Sequence, residues 1–343
     1  MFKINTFILI LKNRMSSKKY FSLESRIYNY NSINKYLNKY YKSDGIENCL
    51  QNSASSIKKT FKLGEKIVTD NIIGEGSYGI VFSGHLFNLS LAIKILEVTD
   101  ENILESQINK TVTKIVIQDK CPHFMIFYKI LLCNKNSNLI ELFDIDKKYK
   151  SAAILSNNEY YLILTELADG VFYDIAAHQQ DINIINNCII QCLFSIVFFN
   201  TLTNYSHDDA HLDNFLYTNI KPGGCFHYNI YGVDYYLKNV GYLIMINDFG
   251  LVVDLNINNL IKDINFFAEK LNNYHIKNIA ITLTDEMNSP DINKMDITHK
   301  QKQKHIYSLL FKLLSETVGF NNHLLTSKKP SLKIINKTPY IIR

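Results

Sequence analysis

Apolar and polar positions alternate in short runs through the first half of the chain and take up helical spacing through the second. Ile67 to Ile73, Ile80 to Ser83 and Leu91 to Leu96 read as strands, and the glycines between them suit tight antiparallel connections. Phe124 to Leu132 and Tyr160 to Thr165 are two further strand candidates. Between Asp100 and Gln118, apolar residues at 104, 108, 112, 115 and 116 predict a helix with Asp100 as its N-cap. Asp181 is placed to cap a long buried helix with apolar residues at 182, 185, 189, 193, 196 and 197. Helices are also expected over Ile261 to Leu271 and around Ile306, Leu309, Leu310, Leu313 and Leu314. Residues 1–61 form a polar extension, partly disordered or helical, with helix expected around Ser22 to Tyr41. Lys221-Pro222-Gly223-Gly224 and several tyrosines mark residues 219–240 as an inserted β-hairpin or loop. A sheet-rich half followed by a helix-rich half indicates an α+β chain with two lobes, 62–166 and 167–343, and no internal repeat.

Composition changes this picture little. At 343 residues, 47% hydrophobic and 20% charged, the chain is long and apolar enough to bury a sizeable core, which excludes wholesale disorder. A net charge of +5 fits an anionic ligand and lacks the dense basic face of a nucleic-acid binder. Lys300, Lys302 and Lys304 read as the solvated start of a helix. Asn, Ile, Lys and Tyr recur throughout, a pattern that points to base-composition bias and gives a single Asn or Lys little weight. The six cysteines contain no C-x-x-C pair. Cys188 and Cys192 share a helix face, but reduced core thiols in a cytosol-like compartment are expected before zinc. The apolar run Asn5 to Leu11 is too short to span a bilayer and lacks a small-residue cleavage site, and Met15 offers an alternative start. No later stretch reads as a membrane span.

Three segments carry chemistry. In Ile73-Gly74-Glu75-Gly76-Ser77-Tyr78-Gly79-Ile80-Val81, glycines allow backbone N–H groups to approach a phosphate without obstruction. A dinucleotide-binding fingerprint would need a helix next, yet Ile80 to Gly84 reads as strand, which favours a loop folding over phosphates from above. Leu91-Ala92-Ile93-Lys94 follows, and alternation places Ala92 and Lys94 on one strand face. A small Ala leaves room for a flat ring, while Lys94 reaches phosphates. The helix after it offers Glu101 and Glu105 to hold that lysine, and Glu105, next to Leu104, is the inward choice.

This order of glycine loop, strand Lys and helix Glu resembles the protein-kinase signature. The resemblance covers roughly residues 62 to 320, and it implies a bilobal kinase-like fold with a β-sheet N-lobe and a helical C-lobe. It makes Leu162 to Gly170 the hinge, with Thr165 as gatekeeper and the backbones of Glu166 and Ala168 meeting adenine. His207-Asp208-Asp209-Ala210-His211-Leu212-Asp213-Asn214 keeps the five-residue spacing between catalytic Asp209 and metal-binding Asn214. Asp208 replaces the usual Arg, and His211 replaces the usual Lys. His211 resembles the residue at that place in haspin-like and aminoglycoside-phosphotransferase-like kinases, where it would donate to a γ-phosphate oxygen. Asn247-Asp248-Phe249-Gly250 matches D-F-G, which implies Asp248 as the principal metal ligand. No A-P-E motif follows. The same resemblance implies that Asp263 is a buried carboxylate bracing the catalytic loop.

The implied activity is transfer of the ATP γ-phosphoryl group, with Mg²⁺ or Mn²⁺, to Ser/Thr hydroxyls of a protein substrate. No nucleic acid, no membrane and no particular oligomeric state are implied. The expected compartment is the cytoplasm, and the chain also resembles divergent kinase-like proteins of large DNA viruses, for which this would be the host cytoplasm. Two alternatives stand beside it: a small-molecule kinase, and a pseudokinase scaffold that binds nucleotide without turnover.

Overall fold

The computed structural model describes residues 22–40, 50–52, 61–63, 67–75, 79–86, 88–134, 159–290, 292, 298–321 and 324–343. They divide into two compact units. The first takes the described residues up to Asn102 together with Phe127–Leu167, and the second takes Ile103–Ile126 and Ala168–Arg343.

The sheet of the first unit is built from β1 (Leu50–Asn52), β2 (Phe61–Leu63), β3 (Ile67–Glu75), β4 (Gly79–Leu86), β5 (Leu89–Glu97), β6 (Phe127–Asn134) and β7 (Glu159–Glu166). Their order is β1-β2-β3-β4-β5-β7-β6, and every pairing is antiparallel. β1 lies upstream of Lys62, where the change in texture places the start of the sheet. In β5 the alternation buries Leu91, Ile93 and Ile95 and leaves Ala92 and Lys94 on the other face, half-buried. A register slip in β6 between Phe127 and Lys129 bulges Tyr128 out of the ladder. Tyr128 stacks at 6.5 Å on Tyr30 of α1 (Leu23–Tyr40), whose Ile33 and Leu37, one turn apart, are buried. The helix expected around Ser22 to Tyr41 is therefore packed on this sheet.

α2 (Asp100–Ile117) starts one residue earlier than the cap assignment implied. Thr99 Oγ1 accepts from Asn102 N at 3.3 Å, so Thr99 is the N-cap and Asp100 is already in the first turn. Phe124 makes a single bridge to Ile246, and the strand expected from that residue begins only at Phe127.

The second unit is organised around α4 (Ile182–Thr203), which follows β8 (Gly170–Val171) and the short α3 (Phe172–His178). The Asp181 carboxylate accepts from Asn183 N at 2.9 Å and caps α4 as its sequence predicts. α4 is long and apolar enough to cross a bilayer by length and composition. Every residue from Asn186 to Asn200 is nevertheless buried within the protein. Its polar members are hydrogen-bonded there: Gln191 Nε2 donates to Tyr242 O at 3.0 Å, and Asn187 Nδ2 donates to Lys238 O at 2.7 Å. α4 is a core helix.

β9 (Tyr205–Ser206), β10 (Phe215–Asn219), β11 (Cys225–Ile230), β12 (Val233–Lys238), β13 (Tyr242–Ile246) and β14 (Val253–Asp254) follow. Within the insertion, β11 and β12 form the expected hairpin. It is joined by β15 (Leu325–Thr326) and by β16 (Tyr340–Ile342), the latter parallel to β11, so the chain end completes a four-stranded sheet. Buried His123 ties this sheet to β13. Its Nδ1–H donates to Ile244 O at 2.7 Å, which leaves Nε2 to accept from the Tyr228 hydroxyl, also at 2.7 Å. α5 (Lys262–Leu271), α6 (Tyr274–Met287) and α7 (His299–Glu316) complete the unit. Thr298 and Gln301 form a capping box at the start of α7, where Lys300 and Lys304 are exposed.

Cys121, Cys188, Cys192 and Cys225 are free and buried, and burial pushes the Cys188 and Cys192 thiols up. Cys133 departs from the expectation of reduced thiols throughout, because it is disulfide-bonded.

Candidate active site

In the second unit the site grows out of the C-terminal end of α4. Asn204 closes that helix in the left-handed conformation (φ 63°), and β9 then pairs antiparallel with β14. The loop from His207 to Asn214 leaves β9 and ends in a single 3₁₀ turn, Leu212–Asn214, which feeds β10. Because β10 and β13 pair with Phe215 opposite Ile246, the residues just beyond that pair also meet. Asn247 N donates to Asn214 O at 2.9 Å. Strand register alone therefore brings the Asp209–Asn214 loop beside Asp248.

One buried carboxylate holds this loop. Asp263, 2% exposed in the first turn of α5, accepts four hydrogen bonds. Its Oδ2 receives His207 N at 2.8 Å, Ser206 Oγ at 3.0 Å and Asn200 Nδ2 at 3.1 Å, and its Oδ1 receives Asp208 N at 2.8 Å. The Asn200 amide is fixed in turn by the buried Tyr307 hydroxyl, which donates to Asn200 Oδ1 at 2.9 Å. The bracing role that resemblance implied for Asp263 is present in full. It supports an unusual backbone at Asp208 (φ 62°), which like Asp248 (φ 65°) occupies the left-handed region, where a non-glycine residue costs roughly 1–3 kcal/mol.

The replaced Arg position has an internal partner: the Asp208 carboxylate is ion-paired with Lys262 Nζ. Fully buried His207 donates Nε2–H to Asn247 O at 2.9 Å. The Phe249 ring packs against His207 at 5.5 Å and Phe199 at 4.9 Å, which anchors the Asp248-Phe249-Gly250 turn to the core. Asn214 Nδ2 donates to Asp209 O at 2.8 Å and Asp209 Oδ2 at 3.2 Å, leaving Asn214 Oδ1 as the acceptor end of that side chain. His211 Nε2 stands 3.5 Å from Asp209 Oδ2. Between Glu101 and Glu105, Glu105 is the buried one. Its Oε2 and Asp248 Oδ1 lie 3.7 Å and 3.9 Å from the point where a Cβ on Gly250 would stand.

In the first unit, Gly74 pairs with Val81 and Glu75 with Ile80 across the β3–β4 hairpin; Gly76, Ser77 and Tyr78 lie outside the described residues. Ala92 pairs with Thr165, and Lys94 pairs with Val81 and Ile163. Thr165 Oγ1 donates to Glu166 O at 3.0 Å. The two described glycines do different work. A Cβ on Gly79 would fall 2.4 Å from Ile95 O, while one on Gly74 would meet only Val81 at 3.7 Å. Gly79→Ala is therefore expected to destabilise the chain by about 1–3 kcal/mol, because backbone must give way. Gly74→Ala is expected to stay within about 0.5 kcal/mol of the parent, and thermal melting of both variants checks the contrast.

Among the described residues no group of three or more His, Cys, Asp or Glu forms a metal cage. The Asp248 carboxylate and Asn214 Oδ1 are hard oxygen donors of the kind that suits Mg²⁺ or Mn²⁺ when substrate phosphates supply the remaining ligands.

The chain has a distant kinase-like relative. A probable serine/threonine-protein kinase, 380R, of Invertebrate iridescent virus 6 is 24% identical to it over 195 residues. That match takes in 52% of this chain and 35% of the viral protein, so the chain spans about a third of that relative's length. No protein-family model matches the chain. The mixed α+β architecture with antiparallel sheets is compatible with that relationship.

Sequence reasoning missed several contributors. Lys262 lacks a signal because its partner Asp208 is 54 positions away, and Asn200 and Tyr307 read simply as helix residues. Asp169, within the Leu162 to Gly170 segment, was given no role: its Oδ2 accepts from Asn219 N at 2.6 Å and Thr218 Oγ1 at 3.2 Å, fixing that residue to β10. Gly170 beside it is required by close approach, since a Cβ there would come within 2.9 Å of the Tyr217 ring. A cavity of about 680 Å³ lined by Asp208, Ile261, Lys262, Phe266 and Lys302 does not include Asp209, Asn214 or Asp248 in its wall.

Proposed function

We propose that this chain is an ATP-dependent phosphotransferase acting on Ser/Thr hydroxyls of proteins. The observation that carries the reading is the Asp263-braced loop, which presents Asp209 and Asn214 beside Asp248 through the Asn247–Asn214 backbone bond. On this reading Asp209 is the carboxylate for the acceptor, and Asp248 and Asn214 are the oxygen donors for a cation.

In this mechanism Asp209 accepts the acceptor hydroxyl's proton as that oxygen bonds to the γ-phosphorus. The bond from the γ-phosphorus to the β–γ bridging oxygen breaks, and ADP leaves. Asn214 directs its amide N–H at Asp209 and so orients the carboxylate. His211, 3.5 Å from the same carboxylate, donates to a γ-phosphate oxygen. Gly74, Gly76 and Gly79 with their neighbours offer backbone N–H groups to the phosphates. Lys94 contacts the α- and β-phosphates. Glu166 and Ala168 meet adenine through their backbones. A Mg²⁺ held by Asp248 and Asn214 would neutralise charge on the phosphates. Most of the rate then comes from positioning and charge neutralisation. Asp208 is an anion already paired with Lys262 and offers no cation to an activation-segment phosphate, so activity is expected without prior phosphorylation.

A small-molecule kinase is the second reading. It is favoured by His211 and by the short path from Gly250 through β14 to α5, which carries no A-P-E motif. Incubation of the full chain with γ-labelled ATP, Mg²⁺ and a mixed panel of proteins and small alcohols separates the readings. Label in protein Ser/Thr supports the proposal, and label only in small alcohols supports the second reading. Nucleotide binding with no transfer to either class would leave a scaffold.

A further inference from the structure

α1 is joined to the end of β7 by a two-point ion pair. Arg26 Nε donates to Glu166 Oε2 at 2.9 Å, and Arg26 Nη2 donates to Glu166 Oε1 at 2.5 Å. The pair is well removed from water, with side-chain exposures of 2% for Arg26 and 14% for Glu166. Both residues belong to the first unit. Arg26 is itself held in place, because α1 buries Ile33 and Leu37, stacks Tyr30 on Tyr128, and accepts Lys129 Nζ on Asn38 Oδ1 at 3.0 Å. Glu166 makes the last ladder pair of β7, opposite Leu91, and its carbonyl already accepts Thr165 Oγ1.

A fork-to-fork Arg–carboxylate pair fixes direction as well as distance. Removing the guanidinium would leave a largely buried carboxylate without this partner, at a cost in stability. Clamping the Glu166 side chain therefore restricts the orientation of its peptide group at the last ladder pair of β7, beyond which strand pairing ends. We propose that Arg26 is a positioning residue for the adenine-facing backbone of Glu166, so that docking of α1 sets nucleotide affinity. The inference rests on the phosphotransferase reading and adds to it a control element drawn from outside residues 62–343.

The test uses the full chain and isothermal titration with ADP and GDP, beside steady-state ATP kinetics and melting curves. Arg26→Ala is expected to weaken ADP binding about tenfold and raise KM for ATP in parallel, with kcat little changed and the ADP-over-GDP preference reduced. Arg26→Lys keeps the charge but not the fork, and is expected to fold normally while still weakening ADP by a few-fold. The exchanged pair, Arg26→Glu with Glu166→Arg, is expected to recover most of the ADP affinity. A folded Arg26→Lys or Arg26→Ala protein that binds ADP and GDP as the parent does, with only its melting temperature lowered, overturns the inference and leaves the phosphotransferase reading intact. Failure of the parent chain to bind ADP overturns that reading, and the inference with it.

Discussion

Asp263→Ala is expected to lower the melting temperature by about 10 °C, an unusually large loss for a residue outside the reacting groups. The carboxylate is buried and accepts from two backbone N–H groups, one hydroxyl and one amide. Removing it leaves four donors without their acceptor, at roughly 1–3 kcal/mol for each one that water does not reach. Partial hydration of the gap brings the total to about 4 kcal/mol. Asp263→Asn is expected to lose nearly as much, because the new amide turns an N–H₂ toward groups that are themselves donors. Transfer should fall further than stability, since the His207 and Asp208 amides set the direction in which Asp209 leaves the loop. An unchanged melting curve for both variants would mean that the loop holds its shape without this residue.

Asp209→Asn is expected to do the reverse, with little loss of stability and a loss of turnover. Asparagine keeps the volume, and its amide oxygen can still accept from Asn214 Nδ2, so the melting temperature should move by no more than a degree or two. What disappears is a base for the acceptor proton, for which a fall in kcat of about 10² to 10⁴ is expected. ADP affinity should stay near that of the parent. Steady-state kinetics at saturating ATP would check this, and a variant that turns over at the parental rate would remove Asp209 from the mechanism.

Much of the frame around this site was legible because it depends on local periodicity. β5 turns Lys94 to the face where alternation puts it, and α2 buries Glu105 and exposes Glu101 where helical phase puts them. Asp209, Asn214 and Asp248 were legible by spacing and context, and the β10–β13 register explains why the two segments meet. Long-range pairing was not legible. Arg26 and Glu166 lie 140 positions apart, and nothing near either residue names the other. β15 and β16 have two and three residues, too few to show alternation, and they exist because the β11–β12 hairpin offers them edges. The displaced cap at Thr99 has a different cause. Thr and Asp both cap well, so the choice falls to the first turn's position, which packing sets.

Comparison of the full chain with its Asp248→Ala variant, for transfer of γ-label from ATP to protein Ser/Thr in the presence of Mg²⁺, tests the central claim most directly. The account predicts metal-dependent transfer by the parent chain and a loss of at least about a thousandfold in the variant. Equal transfer by the two proteins, or none by the parent under conditions where it binds ATP, would contradict it.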